Sequence, residues 1–498
     1  MHINCAGRVA VLSCGLLILT APFAVAAADT EEIDGRPGVG NLRERLTERE
    51  DENRVEDPWT TDLFGHPLSA TVQFEWSADW ARQLVEDDPP DGETRVLFEQ
   101  EAEGEIFYST GPRFSLLLQA RIGMERDLLS GTRRGVSELF VERGEMWVHS
   151  ERAFGSGSGF LSIDFGRLDF EDDRRWWWDE DMDAARVTVG TDSLELALAV
   201  AKELGPTRTD RDFVEPDHED VTRIIAEASW DWRDDHSLQL FALFHDDRSR
   251  THAIGESVDI DREDETDATL RWLGARVSGA WSLRSGGTVG YWLDAGRVDG
   301  DEQVVEFTPI SARQSEVEER ERRTVHGWGF DTGMTWIMPL DFEPRLTLGY
   351  ARGSGDANGD DTQDRAFRQT GLNGNRPGFG GMQSFPGYGL LLEPDLSNIE
   401  VVTVGAGLSL LRASSIDLVY HRYRQVEQSD SLGDARLTAP LTGSDRALGH
   451  GVDLVLAVEE SKRVEFEFWL SAFRSGDAFG AQRGRSTFGG LFALRLAF

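Results

Sequence analysis

From Leu68 onward the apolar residues fall on every second position. Leu68, Ala70, Val72, Phe74, Trp76, Ala78 and Trp80 share one parity. Ser69, Thr71, Gln73, Glu75, Ser77 and Asp79 share the other. The chain ends the same way, with Phe488, Phe492, Leu494, Leu496 and Phe498 set against Gly489, Leu491, Ala493, Arg495 and Ala497. A period of two with one apolar face is the signature of a half-buried β-strand, because successive side chains leave a strand on opposite sides.

The alternation recurs along the chain. Further strands are predicted to begin near Arg95, Arg113, Ser137, Gly159, Asp183, Ser193, Val221, Ser237 and Ala268. Others begin near Thr288, Val325, Arg345, Asn398, Ser415, Gly451, Val464 and Thr487. With the strand at Leu68 the count is eighteen. The parity of Ser137–Val148 slips, as a β-bulge would make it. Connections alternate in length. If the first strand rises from the periplasm, the odd-numbered ones are long: Glu203–Asp220, Asp246–Asp267, Arg297–Arg323, Gly353–Ser397 and Glu427–Leu448. The even-numbered ones are tight, such as Thr110-Gly111-Pro112, Thr191-Asp192 and Arg233-Asp234-Asp235-His236. This pattern predicts an all-β fold: a transmembrane antiparallel up-and-down β-barrel of about 18 strands with long extracellular loops and short periplasmic turns. A final strand that ends on an aromatic resembles the closing strand of bacterial outer-membrane β-barrels. Trp230, Trp232, Trp281, Trp328 and Trp336 lie towards strand ends, as interfacial girdles require.

The N-terminus points to the same compartment. Arg8, the apolar run Val9–Val25 and the small residues Ala24 to Ala28 read as a signal peptide over residues 1–28. Residues 29–67, rich in Asp, Glu and Arg, read as an acidic periplasmic lead-in, and residues 68–498 as the barrel. Both cysteines, Cys5 and Cys14, fall inside the signal, so rigidity has to come from a source other than disulfides. Beyond the signal, no stretch approaches the roughly 18 consecutive apolar residues of a membrane helix. At 28% charged and 39% hydrophobic, the chain is too polar for a helical membrane protein but suits a barrel with a wet lumen. Its net charge of −39 argues against nucleic acid, which is bound through basic surface.

A catalytic constellation is not evident. The histidines are scattered, and Gly155-Ser156-Gly157-Ser158-Gly159 lacks the sequence of a nucleophile elbow. Asp356-Ala357-Asn358-Gly359-Asp360 fails as a calcium loop, since Asp361 replaces the required Gly and Phe367 the closing Glu. The expectation is no enzyme, no metal site and no cofactor.

Two segments are more specific. Gly166-Arg167 is followed by Arg174-Arg175-Trp176-Trp177-Trp178-Asp179-Glu180-Asp181-Met182-Asp183-Ala184-Ala185-Arg186. Tyr350-Ala351-Arg352-Gly353-Ser354-Gly355-Asp356 leads into Phe367-Arg368-Gln369-Thr370-Gly371-Leu372, Asn375-Arg376, Tyr388-Gly389, Pro394 and Leu396-Ser397-Asn398. Together with Leu418-Val419-Tyr420-His421-Arg422 and Gly476-Asp477-Ala478, these resemble the alginate export family of outer-membrane porins. The resemblance implies passive export of an anionic exopolysaccharide such as alginate through an arginine-containing pore in the outer membrane of a Gram-negative bacterium. It also implies a periplasmic polysaccharide-delivery scaffold as partner, alongside outer-membrane lipid.

Strand parity independently turns Arg121, Arg186, Arg276 and Arg495 away from the apolar face, and the motifs add Arg167, Arg368 and Arg376. Guanidinium suits a polyuronate because it stays charged and binds carboxylate bidentately. For each arginine, a structural ion pair is an equal reading, with Asp179 and Asp183 as acidic partners. Glu99, Glu101, Glu103 and Glu105 line one face of the second strand, and Glu465 and Glu467 also face inward. They pair with the arginines or repel a polyanion. A general or solute-selective diffusion porin on the same scaffold is the first alternative, and an outer-membrane enzyme or adhesin the second.

Overall fold

The computed structural model describes residues 58–498 except 83–93, 112, 128–136, 155–158, 250–251, 312, 358–361, 381–383, 412, 434, 438–440 and 462. The predicted signal peptide and most of the predicted lead-in, residues 1–57, lie outside the described residues, as does much of the rejected calcium loop.

Twenty-one strands follow in order. They are β1 (Trp59–Leu63), β2 (His66–Arg82), β3 (Thr94–Ser109), β4 (Ser115–Asp127), β5 (Ser137–Phe154), β6 (Gly159–Glu171) and β7 (Asp179–Gly190). Next come β8 (Leu194–Ala201), β9 (Val221–Arg233), β10 (His236–Asp247), β11 (Ser257–Asp259), β12 (Thr266–Ser282), β13 (Thr288–Pro309) and β14 (Gln314–Ile337). The last are β15 (Arg345–Gly353), β16 (Gln363–Asp364), β17 (Ile399–Ser409), β18 (Ser414–Gln425), β19 (Ala447–Ser461), β20 (Val464–Ser475) and β21 (Ser486–Ala497).

Eighteen of these form the barrel. Each pairs antiparallel with its chain neighbours, and β21 pairs with β2 from Gln73↔Ala497 to Ala81↔Gly489. Closure leaves the sheet without an exposed edge, which is what a strand needs to survive in hydrocarbon. The other three are accessory. β1 folds back on the start of β2, β11 lies on β14, and β16 runs briefly parallel to β14.

The alternation read from the sequence is the alternation of the wall. Ile122, Ile163, Phe165, Leu198, Leu240, Leu273 and Leu418 are exposed on the outer face. The predicted girdle tryptophans Trp230, Trp232, Trp281, Trp328 and Trp336 are exposed as well. The parity slip in β5 is a bulge, with the register shifting between Leu118 and Ala120 of β4. Gln119 fills it by accepting a hydrogen bond from the Glu145 amide at 3.0 Å.

One connection differs from expectation. Arg297–Arg323, predicted as a loop, is mostly strand, because β13 and β14 run on as a 22- and a 24-residue hairpin. Val258, Val305 and Val317, with Phe307 packed against them, form an apolar cluster there, where β11 clips onto the hairpin.

The large core lies inside the barrel. Trp176, Trp177 and Trp178, from the loop after β6, pack with Phe367, Leu372, Tyr388, Leu392 and Leu396 of the loop after β15. Leu437 and Leu441, from the loop after β18, join them. The wall makes room with a row of glycines. Gly274, Gly296, Gly329 and Gly353 stand side by side on β12, β13, β14 and β15. A Cβ at Gly274 would stand 2.1 Å from the Trp177 indole, and one at Gly329 would stand 2.5 Å from the Phe367 ring. The wall is flat there because the loops need the space, and the β9–β19 side of the lumen is packed rather than open.

Candidate functional site

The lumen holds two electrostatic regions. The first is a buried network under the tryptophans. Asp172, just after β6, accepts from the amides of Arg174, Trp177 and Trp178 at 3.0, 2.7 and 2.9 Å. Its carboxylate also meets Arg276 of β12 at 2.5 Å. Burial alone would push this carboxyl up, but the Arg276 guanidinium and the three amide donors hold it below the usual carboxylate range. Arg276 also binds Asp294 at 2.7 Å, and Arg174 spans Asp294 at 3.2 Å and Asp331 at 2.9 Å. Trp292 and Tyr388 both donate to Asp331, and Trp176 donates to the Tyr388 hydroxyl. Opposite charges alternate through the network, and burial at this depth requires such pairing.

The second region is the opposite wall, built by β2, β3, β4, β20 and β21. Glu465, Arg495, Glu75 and Glu101 stand in one row across four neighbouring strands. Arg495 reaches Glu75 at 3.2 Å and Glu465 at 3.0 Å. In the next row Arg121 donates to Glu103 at 2.7 Å. These side chains remain in contact with water, at 35% exposure for Arg121 and 42% for Arg495. Glu99 accepts from Ser77 at 3.0 Å, and Arg208, from the loop after β8, reaches Glu125 at 2.9 Å. A chain of pairs crosses from the loops to this wall: Arg376 to Glu393 at 2.6 Å, Arg436 to Glu393 at 4.0 Å, and Arg436 to Asp79.

The predicted residues therefore separate. Arg121, Arg495, Glu99, Glu101 and Glu103 share the water-contacting wall. Arg276 is fully buried, and Arg186 is buried against Asp164 at 3.2 Å. Both point inward as parity predicted, yet both are held in ion pairs. Arg368 is tied to Glu302 and Asp364 within the packed loop, and Trp272 donates to its carbonyl at 2.8 Å. Arg167 shares its strand parity with the exposed Ile163 and Phe165. It binds Glu203 at 2.7 Å, next to Asp183, which Arg143 clamps at 2.7 Å. That pair of pairs belongs to the barrel wall beneath the loop after β8, where β5 and β6 part. Asp179 meets Arg175 at 3.4 Å at the outer mouth.

Asp172 and Asp331 stand outside every motif of the sequence, and Arg174 and Tyr388 stand inside the family-like motifs without a pore role read for them. Trp176 to Trp178 were the available signal, since three adjacent tryptophans in a polar loop have to be buried against something. Among the described residues, no group of three or more His, Cys, Asp or Glu could hold a metal ion.

Comparison with known proteins places this geometry. The alginate export family matches residues 133–488. The alginate production protein AlgE of Pseudomonas aeruginosa is 29% identical over 335 residues, covering 64% of this chain and 66% of that protein. AlgE of Pseudomonas syringae pv. tomato is 24% identical over 347 residues, 66% of either chain. The chain thus spans about two thirds of the length of these relatives. In fold, the chain is similar to OccK5 (OpdH) of Pseudomonas aeruginosa, with a TM-score of 0.52 and 10% identity over 86% of this chain and 98% of that one. OccAB1 of Acinetobacter baumannii is similar at a TM-score of 0.52 and 9% identity, over 86% and 96%. With well over half its length matched and an 18-strand barrel built on that match, the chain belongs to the alginate export family of outer-membrane porins.

Proposed function

We propose that this barrel conducts an anionic exopolysaccharide such as alginate outward across the outer membrane, passively and without catalysis. The observation that carries the reading is the family match over residues 133–488, whose curated relatives are alginate production proteins. The water-contacting wall supports it chemically. Arg121 and Arg495 stand there with two strands between them, and each can exchange a glutamate partner for a uronate carboxylate. Moderate sites of this kind let a chain enter and still leave. Residues 1–28 act as an export signal in this proposal, residues 29–67 as a periplasmic segment, and a periplasmic scaffold delivers the polymer.

Planar-bilayer conductance with added polyuronate tests it. The expected outcome is block of the current, removed by charge reversal of Arg121 and Arg495 together. A wild-type current that stays unblocked at every ionic strength overturns the proposal. One observation favours a second reading, a diffusion porin for small cations or neutral solutes: Glu75, Glu99, Glu101, Glu465 and Glu467 crowd the same wall. An unblocked, cation-selective current is the result that reading requires.

A further inference from the structure

We propose that the outer wall of β18–β20, at its extracellular border, binds the phosphate groups of an outer-leaflet lipid headgroup. The family-like motif Leu418 to Arg422 leads to this surface, because its last residue points away from the pore. His421 and Tyr423 are buried inside, whereas Arg422 and Arg424 are exposed outside.

The strand register builds a basic row. Arg422 stands opposite His450, and His450 opposite Arg474, on three adjacent strands. All three side chains are exposed. One outward step towards the periplasm, the same strands carry Tyr420, Val452 and Ala472, and the step after that carries Leu418, Leu454 and Leu470. The apolar band ends and positive charge begins within a single side-chain repeat. That is the height of a bilayer's headgroups, and the Tyr420 hydroxyl sits there bonded to His450 at 2.6 Å. The loops after β18 and β20 leave from this end, which makes it the extracellular one.

A cavity of about 370 Å³ opens at this level, lined by Arg422, Arg424, Arg446 and His450. It also holds two carboxylates: Asp445, which accepts from the Ala447 amide at 2.8 Å, and Asp477, which pairs with Arg483 at 2.5 Å. Arg424 and Arg446 have partners in Glu400 at 3.3 Å and Glu427 at 2.6 Å. Among the described residues, Arg422 and Arg474 have no carboxylate within salt-bridge distance. A basic row is unexpected on a chain of net charge −39, and guanidinium forks match phosphate oxygens bidentately. The ligand comes from the leaflet because the barrel wall separates this row from the lumen. Basic pockets at membrane borders hold lipid headgroups by this chemistry.

The test uses the full-length barrel purified in detergent and reconstituted into phosphatidylcholine liposomes doped with bisphosphorylated lipid A or with its dephosphorylated form. Retention of the glycolipid after re-extraction is counted by native mass spectrometry. The wild type should retain the phosphorylated form about tenfold better than the dephosphorylated one. The double variant Arg422→Gln, Arg474→Gln should lose that preference while keeping the heat-modifiable gel mobility of a folded barrel. Arg284→Gln, in a periplasmic turn, should keep it. Equal retention of the two lipids by the wild type overturns the proposal even if the variant fails to fold. Displacement of the lipid by inorganic phosphate at equal concentration also overturns it, since the site would then be a free-anion site.

Discussion

Arg276 shows what parity can and cannot reveal about one residue. Its position opposite the apolar side chains of β12 places it inside the barrel, and it is inside. Parity is silent on what else enters the lumen, and Asp172 enters on a loop 104 positions away in sequence. Fully buried between Asp172 and Asp294, Arg276 neutralises two carboxylates that have no access to water. Replacing it with Leu should cost about 3–5 kcal/mol, because an uncompensated buried charge is left behind. The heat-modifiable mobility of the barrel on gels should then shift to lower temperature. Arg276→Lys should recover little of the loss, since a single ammonium cannot serve two carboxylates with the reach of a guanidinium fork. An unchanged transition in the Leu variant would mean that the network is not holding the Trp176 to Trp178 loop.

Among the elements, the loop after β8 is expected to loosen as pH falls. β5 pairs with β6 only from Met146 to Phe154, so the outer part of β5 lacks that neighbour. Thr207 and Thr209 supply its missing partners, with Arg143 N donating to Thr207 O at 3.0 Å and Thr209 N to Val141 O at 3.0 Å. The same loop carries His218. Burial, and then the nearby guanidiniums of Arg223 and Arg167, push its imidazole down to about 4. In a released loop the value returns to roughly 6.5. The released form therefore binds the proton first, and attachment weakens as pH falls from roughly 6.5 towards 4. Limited proteolysis of the loop should accelerate over that window in the wild type and lose its pH dependence in His218→Gln. None of this was legible in the sequence, where the segment reads as an ordinary long loop. The strands were legible because lipid imposes a strict period of two on one face. The outer half of β13–β14 stands clear of lipid with few hidden residues, Val298, Val305, Val317 and Val325 among them, and so it read as loop. The inward folding of the loop after β15 depends on a glycine row that runs across β12 to β15, a tertiary match with no local signature.

Across the whole molecule, the balance of charge along the open wall decides how a polyanion meets the pore. Glu75, Asp79, Glu99, Glu101, Glu103, Glu125, Glu465 and Glu467 face Arg121 and Arg495 of the wall and Arg208 and Arg436 of the loops. Among the residues named, carboxylates exceed guanidiniums two to one. The arginines attract a uronate only at contact range, whereas the surplus carboxylates repel it from further away. Salt separates the two effects. At ~0.15 M the screening length is about 8 Å, so added salt removes the long-range repulsion before it weakens a bidentate pair in a confined lumen. Polyuronate block should therefore strengthen as ionic strength rises from low values, the reverse of what a purely basic pore gives. Without polymer, the reversal potential in a salt gradient should report cation preference. Glu99→Gln, Glu101→Gln and Glu467→Gln together should move it towards zero and let polyuronate block already at low salt. Block that weakens steadily from the lowest salt would show that the glutamates are neutralised by the arginines and that the lumen acts on the polymer as a positive surface.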